Sequence, residues 1–499
     1  MTFAVMFLFM ERLGPATPPA VRSATTHDAV VIIPGIMGSE LVEADTGRVL
    51  WGMRQALTYS ARWHHRSGMA ALAVTEDERA GKVGRVTARR LLKFASWSPL
   101  LGGTEPYTNL VRGLRPAVAD PAAICEFPYD WRLPVAFNAR RLAEAVDRHL
   151  AAWTAHPAYE EARRHAPEGR SAEVVLVAHS MGGLLVRELT RIPGAVERVR
   201  ATLTLGTPFH GAVQAAAILN SGRGAPVPLP HRQLRDLART LPGLHDLLPA
   251  YRCVETDDDM VPLSPADVAD LGGDAELAAY SLDRLRALGN SPLPGHRMAV
   301  GIAQHTMQSL RLRSGVATPQ TYMFKRHDDD EIQRDGIGRP LKEDLGGDGT
   351  VYRYAAHAGG VEEIALAQRH GALATCGGAI DLTRGLLTGL RRPEDLGQRL
   401  GHGETGLEAP DLVSAGEEFE FTVTGDDDPR RMSCVVQDSS AADRVVASPQ
   451  LPPRRDASGV LRARCRLREP GLYRIKVSGG GEAVTRLILA AAEDPDIGH

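Results

Sequence analysis

Cysteine is scarce in this chain: five in 499 residues, at Cys125, Cys253, Cys376, Cys434 and Cys465. Their odd number and wide spacing exclude a disulfide scaffold and give no zinc-ligand pattern. Long apolar runs are absent as well. The run from Phe3 to Met10 falls far short of the roughly 20 residues a membrane span needs, and it lacks the basic region and small-residue cleavage site of a secretory signal. Residues 1–27 are therefore expected to form a flexible leader. Charge of one sign is missing too. A formal net charge of -3 excludes a general nucleic-acid binder. A hydrophobic fraction of 43% with 24% charged residues is that of an ordinary soluble protein, and the length implies two domains. The sparse thiols fit a reducing, cytoplasmic compartment.

The most informative stretch runs from Ala172 to Arg191. An apolar run, Val174 to Val177, ends at Ala178-His179-Ser180-Met181-Gly182, and a helical pattern (Leu184, Leu185, Val186, Leu189) begins at once. A strand, a tight turn and a helix in that order lift Ser180 above a sheet edge. The same elbow aims the Met181 amide and the helix N-terminus at a developing oxyanion. Small residues at 178 and 182 suit the close approach of strand and helix. A serine in an ordinary strand-to-helix turn is the bland alternative.

Other turns follow strands in the same way. Ala29 to Ile33 reads as a central strand buried on both faces, and it runs into Pro34-Gly35-Ile36-Met37-Gly38. That turn can point amides, Ile36 foremost, into a cleft as the second half of an oxyanion hole; alone, it reads equally as a simple Pro-Gly turn. Ala123 to Phe127 is a second strand, ending in Pro128-Tyr129-Asp130-Trp131-Arg132, and Leu142, Val146, Leu150 and Trp153 mark one face of the helix after it. Ala201 to Leu205 leads into Gly206-Thr207-Pro208-Phe209-His210-Gly211. Strands alternating with helices imply a doubly wound, mostly parallel sheet with its functional residues at the strand C-terminal ends.

Two insertions interrupt this pattern. In the first, about 51–105, tryptophans stand among basic residues and leucines. Trp51, Trp63 and Arg66 are lipid-interface candidates, against the alternative of a cap that packs its own side chains. The second, about 213–318, is rich in Pro and Leu with little regular pattern and is expected to cover the substrate. A strand at Thr321 to Phe324 then leads through a charged loop to Gly347-Asp348-Gly349, where an aspartate between glycines can orient an imidazole. A last sheet strand, Val361 to Ala367, ends at His370; His357 is a rival that follows Asp348 too closely to leave room for that strand. The plain readings are an Asp-Gly turn and an exposed loop histidine. After a linker at 401–412, alternating strands from 413 to 490 indicate an all-β, sandwich-like accessory domain. Cys434 and Cys465 face inward there, as buried free thiols or as a bridge if oxidised.

Taken together, VVIIPGIMGSEL, FPYDWR, VLVAHSMGG, LGTPFHG and GGDGTV occur in an order and spacing that resemble the lecithin:cholesterol acyltransferase family over roughly residues 29–390. The resemblance implies an α/β-hydrolase catalytic domain over 28–400, with Ser180 as nucleophile, Asp348 and His370 as acid and base, and the amides of Ile36 and Met181 as the oxyanion hole. It also implies that the region after Trp51 is a lid and that Asp130 and Trp131 form a structural motif beside the active site. Two departures are the absence of cysteine between Trp51 and Ile124, where animal members carry a lid disulfide, and Tyr352 where the family usually has proline.

Acyl transfer of this kind needs no metal or organic cofactor. The expected substrate is a lipid or membrane surface, with water or an alcohol accepting the acyl group, and the β-domain is a place for a protein partner. A serine esterase or thioesterase on soluble substrates, and a catalytically silent binding protein, remain the alternatives.

Overall fold

In a computed structural model of the chain, residues 25–52, 70–98, 102–164, 170–221, 231–289, 291–389, 405–425, 427–440 and 443–492 are described. The centre is a six-stranded parallel sheet. Its strands, in chain order, are β1 (Ala29–Ile33), β2 (Ile124–Glu126), β3 (Val174–His179), β4 (Val199–Leu205), β5 (His296–Gly301) and β6 (Glu363–Leu366). They lie in the order β6-β5-β4-β3-β1-β2, and each neighbouring pair runs parallel. All residues of β1 and β3 are buried, as continuous Val/Ile/Leu runs require when helices cover both faces. The strand order reverses beside β1 and β3, which opens a crevice at their carboxyl ends.

Helix α1 (Val135–Thr154) buries Leu142, Val146, Leu150 and Trp153 on one face and packs against α2 (Met181–Leu189). Helix α2 is buried along its whole length, so its apolar character is not confined to a stripe. Helix α3 (Gly377–Thr388) follows β6 and ends at Gly389 in the left-handed region, the usual glycine stop.

Three expectations need correction. The strand expected in the sheet at Thr321 to Phe324 pairs only with Lys342–Glu343 in a small hairpin. The place in the sheet belongs to β5, inside the segment read as a substrate cover, because its Arg297 and Gly301 break the apolar run that marks a buried strand. The rest of that segment is also regular, with helices at Val213–Ser221, His231–Arg239, Pro265–Asp270 and Ala275–Leu288. Finally, strand structure begins at Gly406–Glu408 and Leu412–Ser414, inside the stretch read as a linker. At the other end, Thr26 is buried and pairs with Val118.

The C-terminal strands form two sheets, one of three strands and one of five. They enclose a separate hydrophobic cluster around Phe421, Val436, Ile475 and Val477. Cys434 and Cys465 are buried in it as free thiols, and burial raises the pKa of both.

Candidate active site

Three loops at the carboxyl edge of the sheet bring together Ser180, His370 and Asp348. Ser180 sits between β3 and α2 with φ 53° and ψ -127°, a strained conformation for a side chain with a Cβ. It persists because its surroundings hold it. The Ser180 amide donates to the Leu205 carbonyl of β4 at 2.9 Å, and its own carbonyl accepts from the Gly183 amide at 2.9 Å. Gly182 is small of necessity: a Cβ there would stand 2.5 Å from the Pro34 carbonyl oxygen and 2.8 Å from that of Ile33.

His370 Nε2 lies 2.8 Å from Ser180 Oγ and its Nδ1 2.6 Å from Asp348 Oδ2. A carboxylate only accepts, so Nδ1 carries the proton and Nε2 is free to accept the serine hydroxyl. Asp348 is held by the amides of Thr350 and Val351, which donate to Oδ1 at 3.0 and 2.7 Å. The His370 amide in turn donates to the Asp348 carbonyl at 2.8 Å. Gly206, with φ +57°, passes beneath this pair, where a Cβ would come within 2.7 Å of Leu373, 3.1 Å of Asp348 Oδ2 and 3.3 Å of His370 Nδ1.

The loop after β1 is braced by aromatic side chains. Tyr129 donates its hydroxyl to the Pro34 carbonyl at 2.9 Å, and Trp51 donates its indole N–H to the Met37 carbonyl at 2.6 Å. Trp131 donates to the Ser39 carbonyl at 3.3 Å and meets Trp51 edge to face. Trp51 is thus not at a lipid interface: at 1% exposure its ring is enclosed, and its one polar group is committed to the loop. Trp63 and Arg66 lie outside the described residues. Beneath the brace, the fully buried Arg132 guanidinium bridges Asp130 at 2.7 Å and Glu78 at 2.8 Å. Burial opposes ionisation of Glu78, but the Thr75 amide, then Arg132 and Arg85, lower its pKa to about 2. The loop leaves the Ile36 amide without a protein acceptor among the described residues, as the start of α2 leaves that of Met181. First-turn amides of a helix have no intrahelical partner, so both groups remain available as donors.

Sequence reasoning missed two residues that join these parts. The Gly35 amide donates to Tyr107 Oη at 2.8 Å, and Tyr107 Oη stands 2.7 Å from His179 Nδ1. His179 Nε2 is 3.0 Å from the His370 carbonyl oxygen. An amide only donates and a carbonyl only accepts, so Tyr107 gives its proton to Nδ1 and Nε2–H points at His370. Neutral His179 is then fully satisfied. Burial, and next the nearness of His370, drives its pKa down to about 3. The only trace in the sequence is that His179 precedes Ser180; Tyr107 lies 72 residues from either partner.

The triad opens into a cavity of about 500 Å³ whose lining includes Ile36, Pro208, Ile218 and Leu247 together with Trp97, Asp411, Arg486 and Leu487. A buried nucleophile, an oriented imidazole, free amide donors and a largely enclosed pocket can carry out attack on an ester carbonyl.

The fold is of the α/β-hydrolase type. The sequence model of the lecithin:cholesterol acyltransferase family matches residues 103–263, a segment that contains β2, α1, β3, α2 and β4. The likeness to that family is shown for this segment, which carries Ser180. Searching curated protein sequences returns no match. Among solved structures, the Tle4-Tli4 complex is similar at 15% identity and TM-score 0.43, over 75% of this chain and 99% of that one. The Bacillus licheniformis lipase BlEst2 in propeptide form is similar at 12% identity and TM-score 0.30, over 93% of both chains. Among the described residues no helix is long and apolar enough to cross a membrane.

Proposed function

We propose that the protein is a serine-dependent lipid acyl hydrolase or O-acyltransferase that works through an acyl-serine intermediate. The observation that carries this reading is the unbroken chain Ser180 Oγ, His370, Asp348, at 2.8 and 2.6 Å, opening into a cavity walled in part by apolar side chains. His370 Nε2 takes the hydroxyl proton as Oγ attacks the ester carbonyl, and Asp348 stabilises the resulting imidazolium. The amides of Ile36 and Met181 receive the tetrahedral oxyanion. Collapse expels the alcohol, which takes the proton from Nε2 and leaves the acyl group on Ser180. Water or a second alcohol, deprotonated by His370, then releases the acyl chain as an acid or an ester.

The test is mass spectrometry of products from phospholipid vesicles, with and without an added long-chain alcohol, for wild type and Ser180→Ala. Free fatty acid and lysolipid should form, and should fall by about 10⁴-fold or more in the variant. Alcohol esters would show that transfer competes with hydrolysis. Product formation that survives Ser180→Ala overturns the proposal.

A further inference from the structure

The cavity holds a cation that the acyl-transfer chemistry does not use. Arg369 immediately precedes His370 and lines the cavity, with its guanidinium packed over Gly349, beside Asp348. It donates from Nη1 to the Leu407 carbonyl at 2.8 Å, and among the described residues no carboxylate lies within ion-pair range of it. Arg486, on the C-terminal strands, lines the same cavity and is near enough to act on Arg369 electrostatically. One Arg486 nitrogen, Nη2, pairs with Asp411 at 2.9 Å, while its Nε is buried with no acceptor. Two guanidiniums thus line one cavity, and the four carboxylates that line it with them each have a partner: Asp348 has His370, Asp411 has Arg486, Glu105 has Arg474, and Glu408 lies 3.7 Å from His305. Burial, with Arg486 as the next contribution, lowers the pKa of Arg369 to about 9. An arginine so placed gains from an oxyanion that accepts from its free edge, and a guanidinium fork matches phosphate geometry.

Resting on the lipid reading above, we propose that Arg369, with Arg486 beside it, forms a subsite for the phosphodiester of a phospholipid substrate, placed so that the ester carbonyl reaches Ser180. Subsite and nucleophile share one cavity, and the second arginine comes from the C-terminal strands. Those strands therefore contribute to substrate choice as well as to enclosure.

The experiment has two arms. In mixed micelles, kcat/KM is measured for phosphatidylcholine and for diacylglycerol with the same acyl chains, in wild type, Arg369→Gln, Arg369→Lys and Arg486→Gln. The ratio of phospholipid to diacylglycerol should fall at least tenfold in Arg369→Gln, recover in part in Arg369→Lys, and fall by less in Arg486→Gln. Equal losses on both lipids, or none on either, overturn the subsite. In the second arm, calorimetry on Ser180→Ala protein titrates glycerophosphocholine and inorganic phosphate. Binding of glycerophosphocholine that weakens at least tenfold on adding Arg369→Gln supports the subsite. Tighter binding of inorganic phosphate assigns the arginines to free phosphate and overturns the phospholipid. If wild type hydrolyses neither lipid yet Arg369-dependent binding persists, the lipid hydrolase reading fails and the anion subsite stands.

Discussion

The parallel sheet and the C-terminal strands both line the cavity, but they hold their side chains in place by different means. On the sheet side, Ser180 and His370 follow strand ends beside one large buried cluster, and Asp348 is fixed in its loop by the amides of Thr350 and Val351 and by its backbone bond to His370. The C-terminal strands have their own smaller cluster, send Leu412, Leu472, Leu487 and Leu489 into the large one, and add a seam of polar contacts. Gln304 bonds the Thr405 carbonyl and the Leu407 amide, both at 3.1 Å. Gln368 bonds the Ala483 carbonyl at 3.0 Å and the Thr485 amide at 3.2 Å. Glu482 accepts from the amides of Gly377 and Gly378 at the start of α3, where a carboxylate also meets the positive end of the helix dipole. Trp97 donates to the Asp411 carbonyl at 2.9 Å, and Arg474 makes a bidentate pair with Glu105 at 2.6 Å. Chemistry is thus anchored in apolar packing, and one wall of the pocket in a mixture of apolar contacts and directional bonds. A polar seam is easier to break without unfolding the centre.

The largest expected effect separates the two regions. Arg474→Ala leaves Glu105, only 7% exposed, as a buried unpaired charge, which costs about 3–5 kcal/mol. Hydrogen exchange should speed up along the 484–491 strand and its neighbours, while amides of β1 and β3 keep their protection. Uniform acceleration across both would show that the seam and the sheet unfold as one unit and erase the contrast. A smaller effect is expected inside the sheet region. Tyr107→Phe strands the Gly35 amide and His179 Nδ1 without a partner, at about 1–3 kcal/mol of stability, and loosens the loop that presents the Ile36 amide. We expect kcat to fall roughly tenfold with KM little changed, a fraction of the 10²–10³ that removing an oxyanion donor costs. An unchanged kcat would confine Tyr107 to packing.

The most gradual effect is the pH dependence. His179 and His296 have folded pKa values lowered to about 3 and about 4, both chiefly by burial. Between those values and the unfolded value of 6.5, the unfolded chain binds more protons, so stability rises with pH and is lost as pH falls through this window. Each histidine contributes a slope of up to about 1.4 kcal/mol per pH unit. Urea midpoints at pH 7.5, 6 and 5 should decline in that order, and His179→Gln should flatten the decline. A midpoint constant from pH 7.5 to 5 contradicts the burial argument.

How much of this was legible beforehand differs by element. β1 and β3 announce themselves because a strand buried on both faces must be apolar throughout, β4 by its Ala201 to Leu205 run into Gly206, and the elbow at Ser180 because few residues fit where β3 and α2 nearly touch. Asp348 and His370 could be named from flanking glycines and chain order. β5 could not, since one arginine and a terminal glycine hide it among the helices of a long insertion. Trp51 misled, because a tryptophan near basic residues looks the same in sequence whether its ring faces lipid or braces a loop.

The sequence by itself determined the local events: which runs become strands, where the turn must be tight, and which residue types stand ready at the strand ends. Only the tertiary structure decided what each group meets. It joined Gly35, Tyr107, His179 and His370 into one hydrogen-bonded line, turned Trp51 inward, and brought Arg369 and Arg486 to one cavity. These are contacts between residues tens to hundreds of positions apart, governed by packing and by the pairing of buried polar groups, and no local pattern records them.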